Sequence, residues 1–125
     1  MKKNRRVLTV NGNKFVWWHG IGEGFASVTL SPFEDKTSKA RVEFRDFSYQ
    51  YESCNSFTFP LYFEVEKDCK RRSLKVIEPG MAALLAAGLC ERDVFQPRKQ
   101  LVLNGYEVLE ELGYDIVRTE YGIEF

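Results

Sequence analysis

Apolar and polar residues alternate along most of the chain with a period of two, which predicts β-strands. The clearest run is residues 57–66, in which the odd positions from Phe57 to Val65 are all apolar. Pro60 lies on the opposite face and predicts an edge position there, because proline has no N–H group to give to a second neighbour. At Asp46 the alternation shifts by one residue, which predicts a bulge or a bend. Strands are predicted at residues 7–10, 14–19, 25–31, 40–45, 57–66, 74–77 and 116–125.

Turn and helix signals separate these runs. Asn11-Gly12-Asn13 lies between two strands and predicts a hairpin, because asparagine and glycine accept the positive φ angles of a tight turn. Pro79 fits the first turn of a helix, and the apolar spacing that follows predicts a helix ending at Gly88. A second short helix is predicted over residues 104–112, with Asn104 as its N-cap.

Together these elements predict an α+β fold in one domain, residues 1–125. Six to eight strands are expected to form a mostly antiparallel β-sheet, with the two short helices packed on one face. A chain of 125 residues can bury a sizeable core without disulfides or metal. The hydrophobic content of 44% is ordinary for a folded domain, and the aromatic content of 14% favours β structure.

Positive and negative charges cancel over the chain, which argues against a domain that is basic over its whole surface and binds nucleic acid. The charges are unevenly distributed, however. Residues 67–75 carry five basic side chains against one acidic residue, and such a segment suits phosphate groups. An alternative function, that of a nucleic-acid-binding accessory protein, depends on the members of this basic segment: Lys67, Lys70, Arg71, Arg72 and Lys75.

No combination of residues predicts a catalytic, cofactor-binding or metal site, so we expect no enzyme. His19 is the only histidine, and its spacing does not pair it with Cys54, Cys69 or Cys90, as an activated thiol would require. The glycines of residues 20–24 precede a strand pattern, whereas a phosphate-binding loop needs a helix there. The cysteines are predicted to be free thiols, and no apolar run is long enough to span a membrane. Both features favour a cytoplasmic protein.

The first predicted helix is apolar all round, because residues 81–90 contain no charged side chain. Its spacing places one stripe on the sheet, made of Met81, Leu84, Leu85 and Gly88. The opposite side is then formed by Ala82, Ala83, Ala86 and Leu89. Two covers for that side remain open: the C-terminal segment of the same chain, with Val108, Leu109 and Leu112, or another subunit.

Trp17 and Trp18 point to opposite faces of their strand, so one of them is a candidate for an exposed aromatic anchor. Together with the second side of the helix, this gives a predicted interaction surface. Its members are Trp18, Ala82, Ala83, Ala86 and Leu89.

Three short motifs resemble those of a set of small uncharacterised bacterial proteins, some of which are encoded on integron gene cassettes or other mobile elements. The motifs are VNGNKFVW at residues 10–17, the helix start Ile77-Glu78-Pro79 and the helix end Ala86-Ala87-Gly88-Leu89. The resemblance implies a bacterial cytoplasmic accessory protein, and it implies no activity and no catalytic residue.

The leading interpretation is a small protein-interaction protein without enzymatic activity, of the adaptor, immunity or inhibitor type. Its partner is another protein or a second copy of the same chain, as in a homodimer. No cofactor and no membrane are expected to take part.

Overall fold

The computed structural model describes residues 5–22, 24–45 and 58–123, and the side chains of all of these except 58, 59 and 121–123. Asp46, Cys54 and Phe57, on which three of the predictions depend, lie outside these residues. The described residues form eight strands and two helices, which confirms the α+β class, although the strands form two sheets rather than one. In order they are β1 (Arg6–Val10), β2 (Asn13–Gly22), β3 (Phe25–Pro32), β4 (Lys39–Arg45), β5 (Thr58–Lys67), β6 (Lys70–Lys75), α1 (Pro79–Glu91), β7 (Gln100–Asn104), α2 (Gly105–Glu111) and β8 (Asp115–Ile123).

The larger sheet has five strands in the order β1-β2-β3-β4-β7. The predicted hairpin at Asn11-Gly12 is confirmed: both residues have positive φ angles, 50° and 80°, and Val10 pairs with Asn13 across the turn. β1 to β4 are antiparallel neighbours, whereas β7 pairs with β4 in parallel. No strand was predicted at β7, which is five residues long and takes its partner from far back in the chain.

The smaller sheet is antiparallel, in the order β6-β5-β8. Its first turn consists of Asp68 and Cys69, with φ angles of 53° and 63°, and β6 begins at the next residue. β5 is the central strand of this sheet, but Pro60 has the local edge position that the sequence predicts, because β8 is its one neighbour among the described strands at this residue. Two local features accommodate the proline: β6 pairs with β5 only from Tyr62 onward, and the register with β8 shifts between Pro60 and Tyr62.

Both helices begin where the sequence predicts. Pro79 opens α1, and the Asn104 side chain caps α2 by accepting a hydrogen bond of 3.0 Å from the Tyr106 N–H group. α1 nevertheless continues through Gly88 to Glu91, so Gly88 does not end the helix as predicted. A Cβ atom at this position would overlap the Leu112 side chain, which would have to rotate to admit a larger residue.

Three aromatic rings connect the two sheets with α2. Phe44 on β4 and Phe63 on β5 are fully buried, with ring centroids 5.0 Å apart. The Tyr106 ring meets both edge-on, at 5.6 and 5.7 Å. Edge-to-face contacts of this kind add to the free energy that burial of the rings contributes. The trio therefore links both sheets and one helix in a single core cluster.

We expect Gly105→Ala to destabilise the protein by about 1–3 kcal/mol, the usual cost of overpacking a core. A Cβ atom at Gly105 would overlap the ring of Phe44, which Phe63 and Tyr106 hold in place. Gly88→Ala is the matched control, because Leu112 is only half-buried and its free end can rotate away. Urea unfolding followed by circular dichroism measures both, and equal losses would contradict the explanation.

Candidate functional site

Trp18 is not an exposed anchor. Only 7% of its surface is accessible, and Trp17 on the other face of β2 is buried as well. The Arg5 guanidinium lies 4.7 Å from the Trp18 ring centre, and the Lys39 ammonium lies at 6.0 Å. Cations over an indole make a favourable contact, and the long side chains of Arg5 and Lys39 partly shield the Trp18 ring from solvent. Trp18 therefore does not offer a free surface to a partner.

α1 is rotated relative to the predicted orientation. Three residues assigned to its outer side, Ala82, Ala86 and Leu89, are 0%, 0% and 2% exposed, so they belong to the core and cannot meet another subunit. Leu84, assigned to the sheet, lies instead on the outer side with Ala83. Periodicity could not select the correct rotation, because a helix without polar residues has no side marked for solvent.

The cover of α1 comes from the same chain. The helix packs against β1, β3 and β6, and Leu112 at the end of α2 contacts Gly88. Ala82, Ala86 and Leu89 are therefore covered by the same chain and not by another subunit. The covering residues come mostly from strands rather than from the C-terminal segment. What stays accessible is a strip of Ala83, Leu84 and Ala87, which are half-buried.

A groove of about 520 Å³ runs along this accessible strip, and we call it the α1 groove. Its apolar lining consists of the strip itself, together with Gly88, Leu112 and the ring of Tyr114. The groove therefore combines a small apolar floor with a charged rim, and apolar groups with a polar border occur at contact sites for proteins.

The rim of the α1 groove carries charges of both signs. Arg72 lies beside Gly80 at the N-terminal end of the helix, and the Lys67 ammonium lies 4.9 Å from the ring centre of Tyr114. Arg92 forms an ion pair with Glu111 near the C-terminal end. Neither Lys67 nor Arg72 forms an ion pair with a carboxylate in the part of the chain that the structure describes. The groove therefore offers two cations to an acidic group.

Strand alternation divides the basic segment between two faces. Lys70 and Arg72 lie on the side of the buried Leu74, and Lys67 pairs opposite Lys70. Arg71 and Lys75 lie on the outer side, next to Tyr62, Glu64 and Glu66 of β5. The two outer cations are also partly neutralised, through contacts Arg71–Glu66 at 3.5 Å and Lys75–Glu78 at 3.7 Å. The five charges thus do not share one surface.

A second pocket, of about 500 Å³, lies beside the first hairpin. Three phenylalanines contribute to its wall, and the rings of Phe15 and Phe95 are 5.2 Å apart. The Asn13 amide donates a 3.5 Å hydrogen bond to the Cys90 thiol, which also lines the pocket. Phe33 completes the wall and is 41% exposed. The alternation of apolar and polar residues does not predict this pocket, although Phe33 and Phe95, which lie outside the alternating runs, are a signal of it.

The described residues show no arrangement that indicates catalysis by a thiol or a metal. Cys69 lies in the β5–β6 turn and Cys90 contacts Asn13, whereas His19 lies on β2 opposite Val28. No cluster of three or more metal-binding side chains occurs within residues 5–22, 24–45 and 58–123. Cys69 and Cys90 are free, and Cys54 lies outside these residues.

No family model matches the chain, and no curated protein and no solved structure matches it either. The resemblance to small bacterial cassette proteins therefore stays a prediction. Within the part of the chain that the structure describes, neither helix has the length and apolar character needed to cross a membrane.

Proposed function

We propose that this protein is a non-enzymatic interaction protein whose α1 groove binds an acidic, amphipathic segment of a partner protein. The observation that carries the proposal is the accessible apolar strip on α1, in a helix that has no charged residue before Glu91. A helix face that only meets water normally carries lysine or glutamate. Adaptor, immunity and inhibitor roles all use such a contact, and the free thiols Cys69 and Cys90 fit a cytoplasmic location.

The shape of the groove favours a helix or an extended segment over a small molecule. Small ligands are usually enclosed in pockets that bury most of their surface, whereas this groove is open along α1. Alanine at positions 83 and 87 lets another backbone approach closely, and Leu84 adds an apolar contact. The second pocket has one polar pair, Asn13 and Cys90, at its wall.

The charges select an acidic partner. A carboxylate placed between Lys67 and Arg72 would gain two cations that have no acidic partner in the described part of the chain. Glu91 at the rim would disfavour a second carboxylate near the other end of the helix. We therefore expect a partner segment with acidic residues at one end and small apolar residues in its middle.

The experiment captures partners from a lysate of the native host after nuclease treatment and quantifies them by mass spectrometry. One variant, Ala83→Gln with Ala87→Gln, fills the groove without changing charge. Another, Lys67→Gln with Arg72→Gln, removes its cations. Both are expected to lower capture of the specific partner about tenfold or more. The matched control, Arg71→Gln with Lys75→Gln, removes the same charge from the opposite face and should capture as much as the parent.

The same experiment distinguishes binding of a protein partner from the alternative function, binding of nucleic acid. If the protein binds nucleic acid, nuclease treatment should remove the captured material. Both pairs of charge changes should then weaken binding, and binding should fall steeply as the salt concentration rises. Capture that is unaffected by filling the groove would overturn the assignment of the α1 groove.

A further inference from the structure

The four edge strands of the two sheets differ in how they are protected. β6 carries Lys70, Arg71, Arg72 and Lys75, and β8 carries charges of both signs. β1 begins with Arg6. β7 reads Gln-Leu-Val-Leu-Asn and has neither charge nor proline. Charges and prolines on an edge strand normally prevent another chain from adding to the sheet, so β7 is the unprotected edge among the described strands.

Val102 at the centre of β7 is 68% exposed, more than any other large apolar side chain that the structure describes. The hydrogen bond of 3.0 Å from the Lys39 N–H group to the Lys99 carbonyl determines which residues of β7 bond to β4. By the alternation of a parallel ladder, Leu101 and Leu103 then bond to β4, while Gln100 and Val102 direct their N–H and C=O groups away from the sheet. An exposed apolar side chain thus occurs together with backbone groups that pair with no other described strand.

We propose that β7 pairs antiparallel with β7 of a second copy, about a two-fold axis at Val102. A two-fold contact must be complementary to itself, so each residue type has to fit the residue it meets. Under this axis Val102 meets Val102, Leu101 meets Leu103 and Gln100 meets Asn104. The order amide, leucine, valine, leucine, amide therefore reads the same in both directions.

The segments beside β7 add charge complementarity. Arg98 and Lys99 precede the strand, and Glu107 lies in the first turn of α2 directly after it. None of these three side chains forms an ion pair with another described residue. The antiparallel arrangement brings the basic flank of each copy beside Glu107 of the other. The pairing joins two five-stranded sheets into one continuous sheet and leaves the α1 groove outside the contact.

Sedimentation velocity of the full chain over a range of concentrations tests the pairing. A contact of this small size is expected to be weak, with a dissociation constant on the order of 100 μM. Val102→Lys is expected to raise that constant about tenfold or more, because the two-fold axis places one lysine against the other. Val102→Thr keeps the branched shape and should stay close to the parent.

Val117→Lys is the matched control, since Val117 is also exposed, at 44%, but lies on the edge strand β8. It should associate like the parent. The charge reversal Glu107→Lys is expected to weaken association, and combining it with Lys99→Glu should restore it. A parent protein that stays monomeric at about 1 mM, roughly ten times the expected constant, would overturn the proposal, as would equal effects of lysine at positions 102 and 117. The groove-filling change at Ala83 and Ala87 should leave self-association unchanged, which keeps this test independent of the partner proposal.

Discussion

Ala86→Glu is expected to unfold the protein or leave it insoluble, whereas Ala83→Glu, three residues away on the same helix, is expected to leave it folded. Ala86 is fully buried against the core, and the new carboxylate would have neither water nor a cation to stabilise its charge. Uncompensated buried charge costs about 3–5 kcal/mol or more, a large part of the stability of a typical domain. Ala83 lies at the accessible strip, where a glutamate can extend into solvent.

Thermal and urea unfolding, followed by circular dichroism, measure both variants. Ala83→Glu should change the free energy of unfolding by less than about 1 kcal/mol. The comparison is strict, because both changes replace alanine by glutamate in the same helix and differ only in the face they affect. Equal losses would show that α1 is not oriented as described, and equal tolerance would show that its inner face is not packed.

Phe63→Ala is expected to lower the free energy of unfolding by about 3–5 kcal/mol, the usual range for a buried phenylalanine. Phe63 is fully buried between the two sheets and contacts the rings of Phe44 and Tyr106. Its loss would leave a cavity at the point where the sheets meet. Phe63→Leu should cost less, since leucine fills part of that space.

Phe33→Ala is the control for this prediction. Phe33 is 41% exposed and lies beside the Lys14 ammonium at the second pocket, far from the aromatic trio in the fold. Phe33→Ala should lower the free energy of unfolding by much less than Phe63→Ala, because the Phe33 side chain buries less apolar surface in the folded protein. Similar losses for both phenylalanines would mean that the trio does not hold the sheets together.

Elements defined by local chemistry were predicted well. The Asn-Gly hairpin follows from the few residues that accept positive φ angles, and the start of α1 follows from Pro79. The inward phase of β5 at Phe63 and Val65, and the Asn104 cap of α2, depend on residues close together in the chain. In each case the structure depends on residues close together in the chain, so a short stretch of sequence is enough to predict it.

Elements defined by distant partners were not predicted. β7 exists because β4 supplies its ladder, and three other described elements, β5, β6 and α1, separate the two strands in the chain. The central position of β5 in its sheet depends on β6 and β8, which come later in the chain. The candidate site is only partly predictable: the sequence suggests Ala83 and, as a possible cover of the helix, Leu112, but it does not suggest Tyr114, which also lines the groove.

By itself the sequence determined the α+β class, most strand positions, both helix starts and the lack of charged side chains on α1 before Glu91, because periodicity and turn chemistry act over a few residues. Only the tertiary structure decided which side of α1 is buried, how the basic segment divides between two faces, and which strand edge carries no charge. The physical reason is that an apolar helix can satisfy the hydrophobic effect in more than one rotation. Packing against β1, β3 and β6 selects one rotation, and the strip that packing leaves accessible forms the α1 groove.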